Sequence, residues 1–179
     1  MDERTIDSTR MYEGRLVSLR RDRVVLSSGR ETTREVVEHG NCVAIVALDA
    51  EDNVILVRQY RKPVGRVLLE IPAGGVDPGE EPQESAHREL VEETGYTAGS
   101  MERLGGFYSS PGYCTEFLHL FLATDLQRGD ARPDADEIIE VVTVPLSTIP
   151  GLIVSGELCD AKSIAGLLSV ALDRKEDTK

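Results

Sequence analysis

GGVDPGEEPQESAHRELVEETGY, residues 74–96, is the stretch on which the fold turns. Pro78-Gly79 is a turn signal, and Pro82 suits the first turn of a helix, where its missing N–H leaves no bond unmade. From Gln83 to Thr94 nothing breaks a helix, and Gly95 is a natural stop behind it. The stretch therefore predicts one loop followed by one helix. On that helix Glu89 and Glu93 are i,i+4 neighbours, with Glu92 beside them. Like charges at this spacing destabilise a helix by about 0.2–0.5 kcal/mol each, and acidic groups near its C-terminal end oppose the dipole. A divalent cation reverses the sign, because the carboxylates then share one strong positive charge. Hard oxygen donors point to Mg2+ or Mn2+ rather than zinc. For an isolated E-x-x-E-E the competing reading is a solvated acidic helix face.

The wider pattern decides between them. Gly74, Glu80, Arg88-Glu89, Glu92-Glu93 and Gly95 stand at the spacing G-x5-E-x7-R-E-U-x-E-E-x-G-U, where U is apolar. Leu90 fills the first U; Tyr96 fills the second, where an aliphatic residue is usual. Seven such identities coincide by chance with a probability of about 10^-7 per window. The chain resembles the Nudix hydrolases, whose signature this box is.

The chain has 179 residues, enough for one domain with a real core. Its longest apolar run, Cys42–Leu48, has seven residues, too few to span a membrane. The N-terminus MDERTIDSTR lacks the apolar core of a signal peptide. Cys42, Cys114 and Cys159 lie far apart without C-x-x-C, as expected of reduced thiols in a cytoplasmic protein. The formal net charge of −12 argues against a nucleic-acid-binding surface. It also means that cations or local arginines must neutralise any phosphate substrate.

Residues 1–40 read as β-structure: Gly14–Leu19 and Arg23–Leu26 about a tight turn at Arg20-Arg21-Asp22, then a strand at Thr33–His39. Cys42–Leu48 and Val54–Tyr60 predict a hairpin about a polar loop. Val67–Ile71 is a short strand leading through Pro72-Ala73-Gly74-Gly75 into the box. Beyond it Met101–Ser109, Glu116–Thr124 and Ile138–Val144 predict strands, with a polar loop at Asp125–Asp134. Leu146–Val154 predicts a short helix interrupted at Pro150-Gly151, and Asp160 caps a longer one. This order implies an α+β architecture, a mixed sheet with helices against it. The expected organisation is an N-terminal antiparallel β segment at 1–40 and a main domain at 41–179.

The resemblance covers roughly Thr33 to Ala171. Arg58-Gln59-Tyr60-Arg61, Glu70-Ile71-Pro72-Ala73-Gly74, Ser110-Pro111-Gly112, Glu116 and Asp160-Ala161-Lys162 look like the ADP-ribose pyrophosphatase branch. Pro111 stands sixteen residues past Gly95, the spacing of that branch. The resemblance implies a Nudix-type α/β/α sandwich and a homodimer joined through the N-terminal segment. It also implies hydrolysis of ADP-ribose, or of a related nucleoside diphosphate-sugar, to AMP and ribose 5-phosphate with more than one Mg2+ ion. GDP-mannose or nucleoside triphosphate hydrolysis, and a sensor that binds ADP-ribose without cleaving it, are the alternatives.

Carried onto this chain, the metal ligands are Glu89, Glu93, Glu92 and the Ala73 carbonyl, with Gly74, Glu80, Arg88 and Gly95 shaping the motif. The general base is expected on a late loop at Glu137, with Asp136 and Glu140 as alternatives. Arg61, Arg58, Glu116 and Gly112 are the substrate-binding candidates. The arginine forks match phosphate oxygens, although they also suit a solvated strand end. Tyr12, Tyr60, Tyr108 and a residue of a partner subunit are open choices for stacking the base.

Overall fold

The computed structural model describes residues 2–129 and 138–176, with side chains to residue 173. Its contacts divide the chain into two compact units. One consists of Met1–Asn41 with Tyr108–Phe117, the other of Cys42–Phe107 with Leu118–Lys179.

In the first unit β1 (Glu3–Glu13), β2 (Val17–Leu26) and β3 (Glu31–His39) form an antiparallel sheet in that order. β2 runs straight through Arg20-Arg21-Asp22, where the sequence predicts a turn. Cross-strand partners remove the reason for one. Arg20 pairs with Asp22 at 3.0 Å and with Glu38 of β3 at 2.5 Å. Ser8 of β1 donates its hydroxyl to Asp22 at 2.7 Å. That hydroxyl, followed by Arg20, holds the Asp22 carboxyl below the usual carboxylate range despite burial. The 108–117 segment joins β3: the Val37 N–H donates to the Tyr113 carbonyl at 2.7 Å, and the Thr115 N–H to Val37 at 3.0 Å. Every residue of β1 is exposed, Ile6, Met11 and Tyr12 among them.

The second unit is built on a larger sheet from β4 (Cys42–Leu48), β5 (Asn53–Arg61), β6 (Arg66–Glu70), β7 (Ala73–Gly75), β8 (Tyr96–Tyr108), β9 (Phe117–Arg128) and β10 (Ile139–Pro145). Among the described residues its order is β10-β5-β4-β9-β8, with β6 on β5 and β7 on β4. β4 runs parallel to β9 and antiparallel to β5 and β7, so the sheet is mixed. Val43, Ile45 and Ala47 pack with Ala86 and Leu90 of α1 (Pro82–Thr94). Ala44, Val46 and Leu48 share the opposite cluster with Ile149 of α2 (Ile149–Ser155) and with Leu167 and Val170 of α3 (Ala161–Glu176). Both faces of β4 are therefore covered, which is why Cys42–Leu48 reads as an unbroken apolar run. The layers are α/β/α, as the resemblance implies.

One local expectation holds only near its loop and another needs correction. β4 and β5 form the predicted hairpin but do not stay paired along their length. They match at Ala47↔Ile55 and Leu48↔Val54, after which β7 takes the place beside β4, with Val43↔Gly74 and Ala44↔Ala73. The Pro72 carbonyl joins by accepting the Ile45 N–H at 2.9 Å. This divergence brings the box loop into the sheet. Nor is the helix after β10 broken at Pro150. Leu146–Thr148 makes a 3-10 turn, and α2 begins at Ile149 with Pro150 in its first turn, where no N–H is needed. No described helix is long and apolar enough to cross a membrane.

Candidate active site on the box helix

α1 is delimited as its sequence dictates. The Glu81 N–H donates to the Glu84 carboxylate at 3.2 Å, Pro82 occupies the first turn, and Gly95 ends the helix at φ 76° with its N–H on the Val91 carbonyl. That left-handed stop suits glycine, which has no Cβ to clash. Ala86 and Leu90 anchor the inward face and carry Glu93 with them into the interior. There Glu93 Oε2 accepts the Ala73 N–H at 3.0 Å. One turn earlier, Glu89 lies against Gly74, where a Cβ would stand 2.1 Å from its carboxyl carbon. The helix thus sets two carboxylates directly on β7.

Arg88 resolves the like-charge problem of the helix. Its Nη1 donates to Glu89 at 2.7 Å and to Glu92 at 3.0 Å. Its Nε and Nη2 grip Glu80 at 3.2 and 3.0 Å, and Nη2 also reaches the Gly75 carbonyl at 2.9 Å. Ser85 donates its hydroxyl to Glu80 at 2.7 Å. Arg88 and then Ser85 lower the Glu80 carboxyl to about 2, while Glu80 foremost holds Arg88 further into its charged form. One guanidinium serves three carboxylates, so the surplus charge at this face is negative.

The donor set suits a hard divalent cation: the Glu89, Glu92 and Glu93 carboxylates and the neighbouring Ala73 carbonyl offer oxygen only. Gly74 gives Glu89 its room. Among the described residues the box carboxylates are spread along Arg88 and do not gather as a trio within 4.8 Å.

The remaining sequence candidates are more scattered. Arg61 is bound to Glu70, donating Nε and Nη2 at 2.9 and 2.8 Å. Arg58 lies 3.3 Å from Glu157 and 3.9 Å from Glu140, whose side chain is largely exposed on β10. Glu116 belongs to the first unit, 3.6 Å from His39, and Gly112 stands in the turn that Tyr113 closes onto Ser110. Glu137 and Asp136 lie outside the described residues. Tyr12, Tyr60 and Tyr108 are all exposed.

Sequence reasoning gave no role to the buried charges behind the box loop. Glu70 is 1% exposed and binds both Arg61 and Lys162. Burial pushes its pKa up, but the two cations outweigh burial and leave it below the ordinary range. The available signal was a lone acid within the apolar run Val67–Ile71, which requires a partner.

The family model of the NUDIX domain matches residues 38–165, and that of the nucleoside diphosphate sugar hydrolase N-terminal domain matches residues 3–37. The chain belongs to the Nudix hydrolase family. It is 41% identical to an ADP-ribose pyrophosphatase of Bacillus subtilis, over 91% of this chain and 89% of that one. It is 38% identical to a methanol dehydrogenase activator of Bacillus methanolicus over the same shares. The crystal structure of an ADP compounds hydrolase superposes with a TM-score of 0.89, covering 99% of this Nudix chain and 96% of its counterpart. At 24% identity that likeness speaks for the fold.

Proposed function

We propose that this Nudix hydrolase cleaves the diphosphate of ADP-ribose, or of a closely related nucleoside diphosphate-sugar, to AMP and ribose 5-phosphate. Water adds to one phosphorus and the bridging P–O bond breaks, leaving two phosphomonoesters. The observation that carries this reading is the seating of Glu89 on Gly74 and of Glu93 on the Ala73 N–H. The similarity to the Bacillus subtilis ADP-ribose pyrophosphatase over nine-tenths of the chain supports the substrate class.

More than one Mg2+ ion, with Mn2+ as a substitute, held by Glu89, Glu92, Glu93 and the Ala73 carbonyl would neutralise the diphosphate and orient the attacking water. Glu80 and Arg88 hold the carboxylates in register, and Gly74 and Gly95 give the loop and helix their shape. Glu137 is the proposed general base, with Asp136 and Glu140 as its alternatives. Glu116 and Gly112 are proposed substrate contacts, as are Arg58 and Arg61. The pairing of Arg61 with Glu70 employs two of the five N–H groups of a guanidinium, and the phosphate contact would fall to the others.

The segment 1–40 is proposed to join two copies of the chain, with 41–179 as the hydrolase domain. The exposed apolar residues of β1 support this, and light scattering that finds a stable monomer would remove it. The three cysteines, none of them in a disulfide, support a reducing, cytoplasmic location.

The test is product analysis on ADP-ribose, NADH, GDP-mannose, UDP-glucose and dGTP, with Mg2+ and with EDTA. AMP release from ADP-ribose that EDTA stops is the expected result. Preferential cleavage of GDP-mannose or dGTP would move the substrate assignment. Binding of ADP-ribose with no compound cleaved would replace the hydrolase reading with the sensor.

A further inference from the structure

Behind the box loop lies an ion cluster in which the hydrolase reading gives a role to Arg61 but none to Glu70, Lys162, Asp160 or Ser163. Glu70, the last residue of β6, takes two hydrogen bonds from Arg61 and one from Lys162. Lys162 also donates to Asp160 at 2.9 Å. Asp160 caps α3: its Oδ2 accepts the Ser163 N–H at 3.0 Å and the Ser163 hydroxyl at 2.5 Å. The same hydroxyl oxygen, fully buried, accepts the Ile71 N–H at 2.8 Å. The first turn of α3 therefore holds two successive residues, Glu70 and Ile71, just ahead of the box loop.

Stability is a weak reason for such a cluster, since apolar replacements of buried ion networks are often as stable or more so. Position is a better one. Only Pro72, with its ring-fixed φ, separates Ile71 from Ala73. Ala73 gives its N–H to Glu93, and Gly74 lies beneath Glu89. Any displacement of Ile71 passes to both carboxylates with little slack.

We propose that Glu70, Lys162 and Ser163 are positioning residues for the cation site, setting the place of Ala73 and Gly74 and through them the divalent-cation affinity. The inference rests on the reading of the box helix as a metal site. Groups that orient metal ligands from behind typically change affinity by about 10–100-fold when removed.

The test is Mn2+ binding by the full chain, followed by electron paramagnetic resonance of free Mn2+ and by calorimetry, well below each protein's melting temperature. Lys162→Met keeps the stem and leaves Glu70 paired with Arg61, so it is expected to fold. Ser163→Ala removes only the hydroxyl. Both are expected to bind Mn2+ about 10-fold more weakly, with Lys162→Arg recovering most of the loss, and the Mg2+ half-saturation of turnover should move by the same factor. Unchanged Mn2+ affinity in Lys162→Met and Ser163→Ala, even with lowered melting temperatures, would make the cluster merely structural and overturn the inference. Absence of Mn2+ binding by the wild-type chain would remove the metal reading itself, and this inference with it.

Discussion

Glu89 occupies the space that a side chain on Gly74 would fill: a Cβ there would stand 2.1 Å from the carboxyl carbon. The glycine is therefore needed for close approach, and its backbone is not in the left-handed region. Gly74→Ala forces the carboxylate off β7. We expect Mg2+-dependent turnover to fall by at least about 10-fold, because the lost placement is that of a ligand. The atoms met are the mobile end of a side chain, which can swing aside at little cost, so the protein should stay folded. Steady-state kinetics and urea unfolding of the same preparation check both halves. Wild-type turnover in Gly74→Ala would mean that Glu89 is not used from this position.

Glu93→Gln separates charge from shape. The amide oxygen of glutamine still accepts the Ala73 N–H that Glu93 Oε2 receives at 3.0 Å, so the loop keeps its anchor. What disappears is a negative charge available to a cation, a contribution of several kcal/mol to the transition state. Turnover should fall by about 10^3-fold with the melting temperature little changed. Activity within a few-fold of wild type would show that the assignment of Glu93 as a ligand is wrong.

Acid stability should carry the mark of Glu80. Its carboxyl lies at about 2 in the folded chain, against 4.5 for the ordinary group, because Arg88 and Ser85 bond the charged form. A depressed carboxylate contributes stability that is fully present above the unfolded value and is lost as pH falls through the folded one. The Glu80 contribution is therefore lost between about pH 4.5 and pH 2. Glu80→Gln should flatten that part of a plot of urea midpoint against pH. Superimposable acid limbs for the two proteins would contradict the pairing.

The box helix was legible because its signals are local: Pro82 at the start, Gly95 at the stop, and glutamates at helical spacing between them. The run Cys42–Leu48 was legible as a strand because burial on both faces leaves it continuously apolar. The charged triplet Arg20-Arg21-Asp22 misled, because the partners that let β2 pass straight through, Ser8 and Glu38, come from strands far off in the sequence. The same holds for Lys162 and Glu70, ninety-two residues apart. Spacing rules reach across one helix or one hairpin, whereas such a contact is set by the packing of α3 on the sheet. Arg61 shows the limit from the other side. Its residue type allows a phosphate clamp and a buried ion pair alike, and only the fold brings Glu70 beneath it.

Glu70→Gln tests how much that buried charge contributes. Removing it leaves Arg61 and Lys162 facing each other without their common anion, and breaking a buried pair in this way costs about 3–5 kcal/mol. Arg61 is 38% exposed and can relax toward water, so a loss of about 3 kcal/mol is expected. Lys162 is more enclosed, with 13% of its side chain exposed, and would be left with Asp160 alone at 2.9 Å, so it should account for much of the loss. The double variant Glu70→Gln, Lys162→Met should therefore be more stable than the sum of the single changes implies, with a coupling of about 1–3 kcal/mol. Urea unfolding of the four proteins gives this number directly. Additive effects would mean that Lys162 is already satisfied by Asp160, at 2.9 Å, and owes nothing to Glu70.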